Sequence, residues 1–268
     1  MRSALPGPLE PYRHNPLLDT LRLVRGVFRP RTADPFIGQW PGAIGARHTL
    51  FRWSDIAAES GDYVHRFDGY VPYVSPQPFH LEHLPDDYAR DAFAHLMSVR
   101  AERVHAIAER LEADGIRVAA NAGTWATIGD WIARHVESSR EPDAPSGVVA
   151  GRLVPPLRPL WHSLTLDLTL LLGEQAIERH PDASWRLPCD TPYADASRYG
   201  RGLWLLLEPL PERPTTRAPR RLIPRQLMMG LAQGVLDGRT PAEGKRREAA
   251  EAGGALFAQV VEDAPGDP

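Results

Sequence analysis

The sequence predicts an α+β fold: a helix-rich domain packed on a small antiparallel sheet, with an irregular N-terminal segment and a helical C-terminal extension. Three observations predict it. Residues 86–114 repeat apolar side chains at helical period with charges opposite, residues 160–179 form a helix saturated with leucine, and two short apolar runs near 185–187 and 203–208 have the character of strands. The divisions that follow are 1–80 for an aromatic, proline-rich segment, 81–210 for the α+β core, and 211–268 for a Pro/Arg linker and terminal helices.

Composition sets the outer bounds. With 268 residues, 43% of them hydrophobic, the chain can bury one sizeable core or two modest ones. A net charge of −3 and a sequence pI near 6.4 supply no bulk positive field for nucleic acid or an anionic membrane. Lys245 is the single lysine among 31 basic residues, and 27 prolines accompany abundant alanine. That pattern is the mark of GC-rich bacterial coding, so arginine content by itself argues for no chemistry. Cys189 is the one cysteine, which rules out an intrachain disulfide or a thiolate zinc cluster and fits a reducing cytoplasm. The opening MRSALPGPLEPYRHNP lacks the apolar core of a signal peptide. Leu164–Leu172 is too short to cross a bilayer and contains Asp167. A soluble cytoplasmic protein is expected.

Taken in order, residues 1–16 are proline-punctuated and extended, and Leu17, Leu21, Val24 and Phe28 give residues 17–28 a short amphipathic helix. Residues 29–85 hold Trp40, Trp53, Tyr63, Tyr70 and Tyr73 among many Pro and Gly. That is too aromatic for a disordered linker, and irregular, partly packed structure is expected. Within it, FRWSDIAAES reads as a short helix and YVHRFDGYVPYV as a strand pair turning at Asp68-Gly69. The helix over 86–114 presents Phe93, Met97, Ala101, Val104, Ala108 and Leu111 on one face, Asp86 and Asp87 in its first turn, and Gly115 as its stop. IRVAA (116–120) is a short strand or extended link. A helix over 124–137 buries Trp125, Ile128, Ile132 and Val136, and residues 138–158 read as a mobile loop.

The helix over 160–179 is the sharpest feature. Leucines surround most of it, and a step of about 100° per residue gathers Ser163, Asp167, Glu174 and Glu178 in one polar stripe interrupted by Leu171. Gly173 lies on the opposite flank, where a missing side chain admits another element. His180-Pro181 ends the helix, and Trp185 and Leu187 begin a strand. GLWLLLEPL gives an interior strand at 203–208. PERPTTRAPRRLIPR is a basic linker, PRQLMMGLAQGVLDG a helix using Leu227, Leu231 and Val235 and stopped by Gly238. Residues 241–261 form a last helix opened by T-P-x-E.

Residues 115–208 resemble a domain type found in uncharacterised bacterial, especially actinobacterial, proteins. The likeness is carried by GTWATIGDWI (123–132), PLWHSLTLDLTLLLGEQAIERHPDASW (159–185) and LWLLLE (203–208), with the pattern WxSLxxDLxxxLGExxIxRxPxxxW leading into a strand hairpin. The resemblance implies a small α+β unit and no catalytic residue. Compact modules of that kind also occur among toxin-immunity and other interaction proteins.

Asp167 and Glu174 are the acids with the most chemical interest. They read either as a general acid/base pair or acidic contact patch, or as core acceptors satisfied by backbone amides, Trp indoles or an arginine; the second reading is preferred. His80-Leu-Glu-His83 and Glu102-x-x-His105 have fragments of metal-ligand spacing but no complete set. Cys189 has no activating motif, and Ser163 lacks the Gly-x-Ser-x-Gly elbow. No phosphate-binding glycine loop is present. Arg213, Arg217, Arg220, Arg221 and Arg225 form a basic cluster without interleaved aromatics, which disfavours nucleic acid.

These residues predict a non-enzymatic cytoplasmic interaction module, immunity- or adaptor-like. It takes another protein as partner through Asp167, Glu174, Glu178 and the arginine cluster, with no catalytic residue, metal or cofactor assigned and a homo-oligomer compatible with it. The alternatives are a hydrolase or metalloenzyme using Asp167, Glu174 and nearby histidines, and nucleic-acid binding through residues 213–225.

Overall fold

Helix α1, Asp86–Ala113, starts with two aspartates where the helix dipole favours them. It stops at Gly115, whose φ is 81°. The Gly115 N–H donates to the Glu112 carbonyl at 2.9 Å and the Ile116 N–H to the Leu111 carbonyl at 2.9 Å, which is the double closure of a Schellman motif. Leu111 and Ile116 are both buried, adding the apolar contact that accompanies it. The computed structural model describes residues 67, 69–77, 86–136, 147–149, 152–154, 159–187, 190, 203–206, 221–222, 224–236 and 242–262. The helices expected over 17–28 and at FRWSDIAAES lie outside these residues.

The inward face of α1 departs from the expected stripe. Ala89, Ala92, Leu96, Arg103, Ile107 and Leu111 point inward. Ala101 is exposed, while Phe93, Met97 and Val104 only flank the core. The helix is turned by about one residue because a buried acid draws Arg103 inside.

Residues 116–119 form no ladder and serve as an extended link anchored by Ile116. Helix α2, Ala122–His135, begins ahead of the expected start because Asn121 caps it, its side chain accepting from the Thr124 N–H at 2.8 Å. Trp125, Ile128, Trp131 and Ile132 are buried. The segment read as a loop contains a hairpin instead. Strands β1, Gly147–Val149, and β2, Arg152–Val154, pair antiparallel with Val148 opposite Leu153. Their β-branched residues on either side of a two-residue connection suit a tight hairpin.

Helix α3, Pro159–Arg179, is buried without a break from Leu160 to Gly173. Its interior threonines satisfy themselves: Thr165 Oγ1 donates to the Trp161 carbonyl at 2.7 Å and Thr169 Oγ1 to the Thr165 carbonyl at 2.6 Å. The helix ends before His180-Pro181, and the Trp185 ring then lies flush on Gly173, where any Cβ would fall inside the indole. Strand β3, Ser184–Arg186, pairs antiparallel with β4, Trp204–Leu206, and β4 pairs on its other edge with β5, Arg221–Leu222. The sheet order is therefore β3-β4-β5, and the region read as a linker contributes an edge strand. The expected strand pair at Asp68-Gly69 is a turn without strands among the described residues. The Tyr70 N–H donates to the Phe67 carbonyl at 2.8 Å with Gly69 at φ 80°, and residues 70–75 have no regular secondary structure.

Helix α4, Pro224–Leu236, and helix α5, Ala242–Phe257, complete the fold, and α5 continues into a π-helical turn, Ala258–Glu262. Met228, Ala232, Val235, Phe257, Val260 and Val261 join the same buried cluster as α1–α3. Helices α2 and α5 meet backbone to backbone. A Cβ on Gly129 would strike the Ala249 carbonyl, and one on Gly253 would strike that of Trp125. Arg246 forks the Asp130 carboxylate across this crossing, Nε to Oδ1 at 2.6 Å and an Nη to Oδ2 at 3.1 Å. Together these elements are a helix-rich α+β fold with small antiparallel sheets. Among the described residues no helix is long and apolar enough to cross a membrane.

Gly173→Ala should destabilise the protein by about 1–3 kcal/mol through overpacking against Trp185. Gly230→Ala, in open space on α4, should stabilise by about 0.5 kcal/mol by removing helix-interior glycine entropy. Urea midpoints measure both. A second expectation concerns pH. The Arg246 hydrogen bond holds Asp130 below the usual carboxylate range. The unfolded chain therefore takes up the proton first, so the contribution is full at neutral pH and lost as pH falls through the folded value. The melting-temperature gap between wild type and Asp130→Asn should narrow from about pH 7 to about pH 3, and in salt of roughly 1 M.

Candidate site: the buried Arg103–Asp167 clamp

The polar stripe of α3 exists but is split by depth. Ser163 and Asp167 are fully buried, Glu174 is half-buried and Glu178 is exposed. Asp167 has 0% side-chain exposure and its ion-pair partner Arg103, reaching across from α1, has 7%. Arg103 Nη2 donates to Oδ2 at 2.5 Å and Nε to Oδ1 at 3.2 Å, a forked geometry. Tyr70 Oη donates to the same Oδ2 at 2.5 Å. Its single hydrogen is thereby committed, so at the 3.1 Å contact between Tyr70 Oη and Ser163 Oγ the serine must be the donor. Ser163 Oγ in turn accepts from the Tyr73 N–H at 2.7 Å. The remaining Nη2 hydrogen of Arg103 goes to the Val71 carbonyl at 2.8 Å. The guanidinium also lies 5.5 Å from the Tyr70 ring centroid.

Every polar atom in this chain of bonds has a partner, and three donors converge on the carboxylate. Burial pushes the Asp167 carboxyl above its ordinary range, more than the Arg103 and Tyr70 hydrogen bonds pull it down. Burial also lowers Arg103, but the bond to Asp167 and its charge outweigh that and hold the guanidinium protonated. Tyr70 is raised well above its usual value by burial and then by the Asp167 charge, and stays a neutral donor. A carboxyl raised in the folded state stabilises the fold below its unfolded pKa and progressively less as pH rises to the folded value. The pair thus holds parts together while carrying a net desolvation cost. With both oxygens occupied and no exposure, Asp167 offers no face to a substrate.

Glu174 is also engaged internally. Its Oε1 accepts from Trp185 Nε1 at 3.1 Å and pairs with Arg100 Nε at 3.1 Å. A comparable knot closes α1, where Asp114 takes Arg110 and the Trp131 indole N–H, the latter at 2.7 Å. Glu178 stands apart in the last turn of α3. Of the arginine cluster, Arg221 lies on β5 and Arg225 in the first turn of α4. Arg213, Arg217 and Arg220 fall outside the described residues, as do Cys189, His80 and His83. Glu102 is exposed and His105 pairs with Glu109 at 3.1 Å on the solvent face of α1. No group of three or more metal-ligating side chains occurs among the described residues.

The residues sequence reasoning missed are Arg103 and Tyr70. Arg103 sits at helical spacing with Leu96, Ile107 and Leu111, and a buried aspartate requires a cation within reach. Those two facts together would have found it. Compared with protein-family models, with curated proteins and with solved structures, the chain gives no match.

Arg103→Met should cost about 3–5 kcal/mol, since it leaves a buried carboxylate uncompensated. Adding Asp167→Leu should restore most of that loss, because the double variant removes both desolvation costs. Urea unfolding of the two singles and the double measures the coupling. Additive losses would contradict the pairing.

Proposed function

We propose that the chain is a non-enzymatic interaction module of the cytoplasm, adaptor- or immunity-like, that takes another protein as its partner. Residues 115–208 are proposed to represent the actinobacterial-type α+β domain whose motif they resemble. One observation carries the interaction reading. Val71, 70% exposed, and Val74, 41% exposed, are the large hydrophobics left in solvent by the described residues, and both lie on the segment Tyr70–Ser75.

That segment has no regular secondary structure, pairs with no strand among the described residues, and is fixed from beneath. Tyr70 and Tyr73 are buried on either side of Val71, the Val71 carbonyl is held by Arg103, and the Tyr73 N–H by Ser163. Two valines displayed on a backbone that is already ordered lose little entropy on binding, which favours a specific contact. The arginine cluster at 213–225 is proposed, from its sequence alone, to add charge that suits a carboxylate-bearing partner. The engagement of Asp167 and Glu174 in internal bonds supports interaction over catalysis by those residues.

Photo-crosslinking from the exposed position 76 in the native host, compared with the same experiment on Val71→Asp/Val74→Asp, tests the reading. Wild type should capture a defined protein, and the variant should lose capture by about tenfold or more while melting as wild type does. Specific turnover of a small substrate by the purified protein, or capture indifferent to both substitutions, would overturn it.

A further inference from the structure

At the opposite end of α3 from Ser163, a cavity of about 380 Å³ lies between the last turn of α3 and the C-terminal π turn, lined by Gln175, Glu178, Arg179, Phe257, Val261 and Glu262. That volume is within the span of small-molecule sites.

Gln175 is buried, and Trp125 Nε1 donates to its Oε1 at 2.8 Å. An indole nitrogen only donates, so the amide orientation is fixed and its NH₂ is left as the donor end of a residue that lines the cavity. Glu178, Arg179 and Glu262 stand exposed around it, and no described residue forms an ion pair with any of them. This contrasts with Asp114, Asp130, Asp167 and Glu174, each held by an arginine. The far wall is held in place as well. His180 Nε2 lies 2.9 Å from the Val261 carbonyl, and because a carbonyl only accepts, the imidazole donates there. A π turn at the edge of a cavity is a feature that recurs at functional sites.

We propose that this cavity binds a small zwitterion of amino-acid or dipeptide size. The ammonium group lies toward Glu178 and Glu262. The carboxylate takes the Gln175 amide and Arg179, and the apolar side chain rests on the Phe257–Val261 edge. Two carboxylates, one guanidinium and one oriented amide donor match a ligand with separated charges of both signs better than a plain anion or a plain cation. The proposal uses neither Val71 nor Val74, the two residues that carry the interaction reading, so either can fail alone.

Calorimetry on the full chain with L-leucine, the dipeptide Ala-Leu, N-acetyl-Ala-Leu and Ala-Leu amide tests it, alongside the Trp125 indole N–H resonance, which reports on Gln175. Leucine or the dipeptide should bind and move that resonance, and each blocked dipeptide should bind about tenfold or more weakly than its parent, or not at all. Glu178→Gln/Glu262→Gln should remove the preference for a free ammonium, and Arg179→Ala the preference for a free carboxylate. These are surface positions, and unchanged circular dichroism would confirm that the variants remain folded. No binding of leucine or Ala-Leu at roughly 10 mM, equal binding of the blocked forms, or preferences unmoved by the substitutions would overturn the proposal.

Discussion

Asp167 is a carboxylate with no solvent exposure in the middle of the most buried helix, and much of the surrounding arrangement follows from satisfying it. An unpaired ion at that depth would cost several kcal/mol. Arg103 must therefore come inward from α1, which turns that helix away from the face its apolar residues alone would choose. Two donors from the guanidinium leave Oδ2 with room for one more, and Tyr70 fills it. The turn at Gly69 delivers Tyr70 to that point, and the Ser163–Tyr73 bond continues the same line of contacts along the segment. One buried charge thus ties together α1, α3 and residues 67–77.

The second constraint is that α3 has no solvent-exposed side along its first four turns. Every flank from Leu160 to Gly173 is covered, and the cover comes from separate parts of the chain. Trp185 closes over Gly173, α1 covers the side bearing the acid, and Met228 and Ala232 of α4 and the residues of the π turn share its core. Helix α2 belongs to the same arrangement through the Trp125–Gln175 bond and carries α5 with it, since Gly129 and Gly253 let the two backbones touch. The sheet is minor in extent, but it positions Trp185.

What was legible in the sequence is what local chemistry decides. The leucine saturation of α3, its stop at His180-Pro181, the gap at Gly173 and the glycine termination of α1 all depend on neighbours within a few positions. The preference for Asp167 and Glu174 as core acceptors rather than catalysts follows from apolar surroundings. The partners were not legible. Tyr70 meets Asp167 across 97 positions, and Arg103 across 64. The face of α1 was misread for the same reason, because periodicity scores an arginine as outward unless the buried acid is known. The stripe Ser163–Asp167–Glu174–Glu178 looked like one site because helical angle says nothing of depth, and the covering elements bury its start and leave its end in water. The β1–β2 hairpin was hidden by a glycine- and proline-rich context.

The same clamp underlies the functional proposal, since an irregular segment with two exposed valines is a defined surface only while it is held. Native-state hydrogen exchange at the Tyr73 amide tests this most directly, because that N–H is donated to Ser163 and reports whether the segment opens on its own. If the clamp makes residues 67–77 part of the cooperative core, the Tyr73 amide exchanges with the same free energy and denaturant dependence as the central amides of α3. Exchange of Tyr73 through a low-energy local opening, with α3 still protected, would contradict the account.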